Sequence, residues 1–492
     1  MHTCLQQCES TTRRVSEHLT EQTQLYYPPL VQGIVGAGAC FVGTNPSYTP
    51  YELRHALKVS RAKFIITEPE LLGTINPPAT ELGIADERIL FLATEDGQSV
   101  SGHSSWRSLL NHGEEDWVRF DDLETARTTN AFLMFSSGTT GLPKAAQLSH
   151  HNLIAEHTLV HENPAHPEPY EMSRLCCLPF FHAAVAPYTH VTTLRSGRPS
   201  YIMRRFHPQD FLTNIERFSI TSLLLVPPMV VAIVNLAKEQ PEHVRRCLRS
   251  VINVAGGAAP LDRDKQQACQ ALLDPGAAFT QVWAMSETSC VASMLYHPEN
   301  DDTGSVGRFM PNLDVKLVDD EGEEIPQDRR GELCIRGPTI IRGYLDNPEA
   351  NARDWDSDGF FHTGDIAYCD SQTGLWYLVD RKKELIKVRG FQVAPSELEG
   401  VLLAHPHIRD AAVIGIPAAE AGSELPRAYI IRQAGIELEE WDVHAWVAER
   451  LAKYKKLDGG VRFVESIPKT ASGKILKRVL REEAKKEVGA KL

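Results

Sequence analysis

Between Leu30 and Ser293 short apolar runs alternate with helix-like segments. AKFIIT (62 to 67), RILFLA (88 to 93), FLMF (132 to 135), SLLLVPP (222 to 228) and SVINVAGG (250 to 257) have the length and apolar content of buried strands. Their alternation with helices predicts an α/β architecture. Between 304 and 378 the texture shifts to short alternating strands and turns (DVKLVDDEGEEI, GELCIRG, GLWYLVD), which predicts a β-rich subdomain. The basic run DRKKELIKVRG at 380 to 390 leads into FQVAPSELEGVLLAHP, read as a short strand and a proline-led amphipathic helix. A boundary is placed here, giving a large unit over 1–380 and a small one over 381–492. Strands at AAVIGIP (411 to 417) and AYIIRQ (428 to 433) and a helix at 440 to 452 make the small unit α+β.

Length and charge narrow the function. A chain of 492 residues suggests roughly three folding units. A formal charge of -13 argues against nucleic acid as the main partner, since counterion release needs a basic face. The ten cysteines include no CxxC pair, so neither zinc nor redox chemistry is signalled and a reducing compartment is expected. No apolar stretch reaches the length of a membrane span, and the first 25 residues lack the apolar core of a signal peptide. The chain closes Ala490-Lys491-Leu492, a conservative variant of the Ser-Lys-Leu peroxisomal address.

The densest chemistry follows the run FLMF. In SSGTTGLPK, hydroxyls of Ser136, Ser137, Thr139 and Thr140 lie beside Gly138 and Gly141, which let backbone N–H groups approach an anion, and Lys144 adds a point charge. A phosphate cradle is the reading; a turn joining two strands is the bland alternative. It is not a Walker loop, because Pro143 precedes the lysine and no Gly-Lys-Ser/Thr opens a helix.

Four further segments carry chemistry, each with a plainer reading. LPFFHAAVAPY (178 to 188) sets His182 among aromatics and small residues, where a packed imidazole is the commoner fate. QVWAMSETS (281 to 289) offers an indole to stack on a base, a hydroxyl for phosphate and a carboxylate for Mg²⁺, or merely a strand end and a helix cap. HTGD (362 to 365), with Arg381 sixteen residues on, can hold a ribose by its two hydroxyls or be a Gly-Asp turn. IPKTASGKILKR (467 to 478) presents Lys474 in a Thr/Ser/Gly-rich turn, able to reach a reacting phosphate or simply solvated.

In this order SSGTTGLPK, HTGD, DRKKELIKVRGFQVAPSELE and PKTASGK resemble the adenylate-forming superfamily, and most closely the branch of 4-coumarate-CoA ligase and its fungal relatives. The resemblance runs from about Tyr26 to the C-terminus. It implies ATP-dependent activation of a carboxylic acid as acyl-AMP, then transfer to coenzyme A, with Mg²⁺ accompanying ATP. Ser136, Ser137, Gly138, Thr139, Thr140, Gly141 and Lys144 would hold the triphosphate. The adenine would lie between the Gly257-Ala258-Ala259 backbone and the Trp283 ring, with Gln281 nearby, Ser286 on the α-phosphate, Glu287 on the metal, and Asp365 and Arg381 on the ribose. Lys474 matches the lysine bridging acyl carboxylate and α-phosphate, and Lys383 the hinge about which the small domain swings. Lys387 and Gln392 fall on catalytic positions, and Arg389, Gly390 and Arg205 on coenzyme A positions. His182 would orient the carboxylate.

Departures from the family pattern shape the expectations. Trp283 stands where tyrosine is usual, Ser286 where threonine is, and Lys-Ala-Ala (144 to 146) replaces Lys-Gly-Val. Ala183, Ala184 and Val185 replace bulkier, partly polar residues, which predicts a wide apolar pocket with Tyr188 as its polar contact, suited to a fatty, medium-chain or aryl-alkanoic acid. Family members carry about fifty more residues before Tyr26, so the sheet is expected to lack strands and to leave neighbours unpaired. The leading reading is an acid–CoA ligase delivered by the peroxisomal import receptor. Adenylation for a carrier protein, and nucleotide binding without turnover, are the alternatives.

Overall fold

The computed structural model describes residues 16–20, 25–92, 102–136, 143–259, 261–382, 384–388, 391–418, 424–451, 453–469 and 475–489, with the backbone alone for 16–20, 387, 391, 392, 488 and 489. The first sheet has six strands: β1 (Ser16–Thr20), β2 (Cys40–Thr44), β3 (Ala62–Thr67), β4 (Ile89–Phe91), β5 (Asn130–Ser136) and β6 (Lys144–Ser149). Their spatial order is β4-β3-β1-β2-β5-β6, and all pairs are parallel except β5 with β6. The expected gap at the front of this sheet is therefore closed. Residues 16–20 run between β3 and β2, from Ser16↔Cys40 to Thr20↔Thr44 on one side and from Glu17↔Phe64 to Thr20↔Thr67 on the other. A ladder is built from backbone donors and acceptors, so a segment unlike the family's opening can still complete it.

Between β2 and β3 the helix Pro50–Ser60 is started by a capping box, in which Thr49 and Glu52 satisfy each other's backbone N–H. The core beneath centres on Tyr27, Phe41, Phe132 and Phe180, with the His190 ring stacked 5.3 Å from Tyr27.

The second sheet is wholly parallel: β7 (Arg174–Cys176), β8 (Ser200–Ile202), β9 (Ser222–Leu225), β10 (Asn253–Gly256) and β11 (Ala278–Gln281), in the order β11-β10-β9-β7-β8. Helices Pro208–Phe218, Pro227–Glu239 and Pro241–Leu248 each open on proline, whose missing N–H costs nothing at a first turn, and bury Phe211, Ile215, Val230, Ile233 and Leu248 against it.

The β-rich part follows as expected. Strands β12 (Trp283–Met285), β13 (Cys290–Met294) and β14 (Arg308–Phe309) form one antiparallel sheet. A second contains β15 (Asp314–Val318), β16 (Glu324–Ile325), β17 (Gly331–Arg336), β18 (Phe361–Cys369) and β19 (Trp376–Arg381), ordered β16-β15-β17-β18-β19. No helix cap forms at Ser286. Residues 286–289 instead reverse β12 into β13, held by the Thr288 hydroxyl, which accepts from Met285 N at 3.0 Å and donates to Cys290 O at 2.6 Å.

Beyond residue 385 come the hairpin β20 (Ile386–Val388) and β21 (Phe391–Val393) and a three-stranded sheet of β22 (Ile408–Pro417), β23 (Glu424–Arg432) and β24 (Val461–Phe463). Ile386, Val393, Leu398, Leu402, Val413 and Ile430 build a core that, among the described residues, contains none before Ile386. Helices Pro395–Leu403, Glu440–Arg450 and Lys477–Gly489 cover this part. It meets the preceding sheet where Ser396 donates from its N–H to Asp380 Oδ2 (3.0 Å) and from its hydroxyl to Val379 O (2.9 Å).

Candidate active site

A cavity of about 240 Å³ opens where β5 and β6 meet the five-stranded antiparallel sheet. Ser136, Lys144, Glu287, Tyr344, Asp354 and Arg381 are on its wall. The strands bring these together from distant parts of the chain: Ser136 and Lys144 face each other across the antiparallel pair, and Glu287 sits in the turn after β12.

At one corner stands Asp365. HTGD is not a chain reversal but part of β18, with Gly364 at φ +71°, a conformation that favours glycine. Thr363 fixes the bend by donating its hydroxyl to Leu333 O (2.8 Å) and accepting from Asp365 N (3.0 Å). Asp365 and Arg381 are cross-strand partners, with Nε 2.8 Å from Oδ1. The carboxylate beside it holds the Arg381 guanidinium above its ordinary range. The other oxygen, Oδ2, accepts from the Trp283 indole N–H at 2.9 Å. That indole is only 4 % exposed and packs edge-on against Phe309. In this arrangement the indole N–H is committed to the carboxylate, a contact in the plane of the ring.

At the other corner Lys144 Nζ lies 2.9 Å from Asp354 Oδ2 and 4.3 Å from the centre of the Tyr344 ring. Tyr344 donates its hydroxyl to Glu287 Oε1 at 2.8 Å. Burial and the neighbouring Glu287 push the phenol well above its usual range, so it stays a donor. For Asp354 burial pulls upward, but hydrogen bonds from Arg353 and Lys144 outweigh it and the carboxyl is lowered. Tyr344, Arg353 and Asp354 were not singled out from the sequence. They come from the segment after β17, in no recognisable motif, and only folding brings them to Lys144.

The Gly257-Ala258-Ala259 stretch leaves β10 at the carboxyl edge of its parallel sheet, where ligands of such sheets bind. A Cβ on Gly257 would meet Val282 Cγ2 at 2.9 Å, and Ala258 holds φ +69°, so the path of this backbone is tightly dictated. The Gln281 amide donates to Leu261 O (3.1 Å) and Gln266 Oε1 (2.9 Å), which braces the chain beyond β10.

His182 is seated because β2 has glycine at position 43, where a Cβ would meet Phe181 Cα at 2.9 Å. Its Nδ1 accepts from Ala184 N at 3.2 Å, which leaves the proton of a neutral ring on Nε2. Ala183 is buried and Ala184 partly so. The Tyr188 hydroxyl lies 3.3 Å from Ser200 Oγ, and its ring packs under Arg174 at 3.6 Å. Arg205 is exposed just after β8 and is not on the cavity wall. Ser286 is half-buried beside Glu287.

Ser137, Gly138, Thr139, Thr140, Gly141, Lys383, Arg389, Gly390, Lys474, Ala490, Lys491 and Leu492 lie outside the described residues. For Lys387 and Gln392 the backbone register is known, and it sets them directly opposite each other across β20 and β21. Among the described residues no group of three His, Cys, Asp or Glu side chains could hold a metal alone, and no helix is long and apolar enough to cross a membrane.

Residues 21–345 match the family model of the AMP-binding enzyme, and 397–474 that of the AMP-binding enzyme C-terminal domain. A phenylacetyl-CoA ligase of Aspergillus niger is 52% identical over 93% of this chain and 85% of its own length. An acyl-CoA ligase from another strain of that fungus is 52% identical over 93% and 86%. The crystal structure of ATP-bound MatB from Rhodopseudomonas palustris superposes with a TM-score of 0.82 at 26% identity, covering 98% of this chain and 91% of that one. The chain thus has an adenylate-forming fold and belongs to the AMP-binding enzyme family.

Proposed function

We propose that this AMP-forming acid–thiol ligase activates an apolar aryl-alkanoic, medium-chain or fatty acid and passes it to coenzyme A. The observation that carries the reading is the convergence on one cavity of Lys144, Glu287 and Arg381, the last paired with Asp365 behind the wall, which suits a triphosphate, its cation and a ribose. The likeness to a phenylacetyl-CoA ligase and the small side chains of Ala183 and Ala184 support an acid of this kind over a phenol-bearing one.

In the first half-reaction a carboxylate oxygen of the acid attacks the α-phosphorus of ATP, the α–β phosphoanhydride bond breaks, and pyrophosphate leaves. Ser136 to Lys144 hold the departing group, Ser286 the α-phosphate, and Lys474 bridges the two reacting oxygens. His182 orients the acid. In the second, the thiol sulfur of coenzyme A attacks the acyl carbon, the bond to AMP breaks, and the thiol proton passes to solvent. Lys387, Gln392, Arg389 and Gly390 serve this step after a swing about Lys383, with residues 1–380 and 381–492 as the moving bodies and Arg205 binding the coenzyme.

A divalent cation fits the cavity through Glu287, since Mg²⁺ is commonly held by one or two carboxylates plus substrate phosphates. Bound there, Mg²⁺ would neutralise charge on the polyphosphate. The Ala490-Lys491-Leu492 end supports import into peroxisomes, checked by following a fluorescent fusion with and without the tripeptide.

The test uses purified protein, MgATP, coenzyme A and a panel containing phenylacetate, medium-chain acids and coumarate. AMP, pyrophosphate and a thioester of the apolar acids are expected. Pyrophosphate release with no thioester would favour a carrier-protein acceptor, and exclusive use of coumarate would overturn the pocket argument. Lys474→Ala should abolish acyl-adenylate formation.

A further inference from the structure

We infer that Trp283 is a positioning residue for ribose recognition, acting through its indole N–H on Asp365. The inference rests on the reading that Asp365 holds the ribose. A carboxylate offers about four lone-pair positions, two on each oxygen. Here the Arg381 guanidinium is the ion partner of Oδ1, with Nε 2.8 Å away, and Trp283 Nε1 donates a hydrogen bond to Oδ2 at 2.9 Å. At least one position then remains on each oxygen among the described contacts, which is the acceptor pair that two vicinal hydroxyls require.

The two donors come from different sheets. Arg381 belongs to β19, next to Asp365 in register, whereas Trp283 belongs to β12 of the separate three-stranded sheet. This matters because the terminal torsion of an aspartate is soft and roughly two-fold, so a single partner leaves the carboxylate plane poorly defined. With Arg381 alone the carboxylate could turn to face the guanidinium with both oxygens, a favoured geometry that would misdirect it from the sugar. The indole blocks that turn. Its own position is held by burial at 4 % exposure and by Phe309, whose ring centre is 5.7 Å away. A tyrosine or phenylalanine at this place would fill similar space without an N–H at that point.

The experiment compares ATP with 2′-deoxy-ATP as substrate in the full-length enzyme, measuring kcat and KM separately for Trp283→Phe and Asp365→Asn. The expected result for Trp283→Phe is a KM for ATP raised about tenfold with kcat little changed, and a preference for ATP over 2′-deoxy-ATP that falls toward that of Asp365→Asn. Should Trp283→Phe fail to fold, Trp283→benzothienylalanine replaces the N–H by sulfur in the same ring shape and gives the same comparison. A native preference in the Trp283 variant beside a collapsed one in Asp365→Asn would overturn the role of Trp283. A native preference in Asp365→Asn would instead overturn the ribose reading on which it rests.

Discussion

Lys477 Nζ lies 3.1 Å from Glu399 Oε1 and 3.4 Å from Glu384 Oε2; the lysine is buried and the two glutamates are largely so. This pair ties the start of the helix Lys477–Gly489 to the helix Pro395–Leu403 and to the segment just after Arg381. Glu399 accepts further from Val413 N at 2.7 Å. Burial nevertheless pushes its carboxyl up, to about 7, with Lys477 opposing the shift. Breaking one side of a buried pair leaves an uncompensated charge, so Lys477→Met is expected to destabilise the fold by about 3–5 kcal/mol. Adding Glu399→Gln should recover part of that loss. Urea unfolding of the single and double variants checks it, and equal midpoints for wild type and Lys477→Met would contradict it.

Lys144 and Asp354 form an ion pair on the cavity wall. If the lysine grips the triphosphate, Lys144→Met loses a charge-assisted contact and KM for MgATP rises about ten- to a hundredfold. Pyrophosphate release measured against ATP concentration reads this directly. An unchanged KM would assign Lys144 to structure alone.

Tyr344 orients Glu287 through one hydrogen bond of 2.8 Å. Partners of this kind commonly matter tenfold or more for metal affinity. Tyr344→Phe is therefore expected to raise the Mg²⁺ concentration for half-maximal activity about tenfold, with the protein still folded. A Mg²⁺ titration at saturating ATP would show no shift if the phenol merely fills space.

Acid should destabilise the large α/β part through buried histidines. Burial holds His190 down to about 3 and His161 down to about 4, against 6.5 for an open chain. Both stay neutral when folded but take up protons when unfolded. Their contribution to stability is then full above about pH 6.5 and falls as pH drops below it, by up to about 1.4 kcal/mol per pH unit for each group, against an opposite contribution from Glu156 and Glu399, whose carboxyls burial raises. Denaturant midpoints at pH 7.5 and pH 5 give the slope, and His190→Gln should flatten it. A slope in His190→Gln equal to that of the wild type would refute the account.

Much of the fold was legible before folding was considered. AKFIIT, SLLL, GELCIR and AAVIGIP are strands of four to ten residues whose short length and apolar or β-branched content suit a sheet, and the proline-led helices begin where proline permits. The sheet around residues 16–20 was misjudged, because a ladder depends on backbone pairing that side-chain likeness does not report.

The site divides in the same way. Motif order in SSGTTGLPK, HTGD and PKTASGK determined the chemistry, since the residue types that grip a polyphosphate and a ribose are few and lie close together in the chain. Tertiary structure alone decided what those residues touch. Asp354 reaches Lys144 across 210 positions and Trp283 reaches Asp365 across 82, and the Tyr188 hydroxyl turns to Ser200. Contacts between distant strands follow from sheet order and register, which local pattern does not encode.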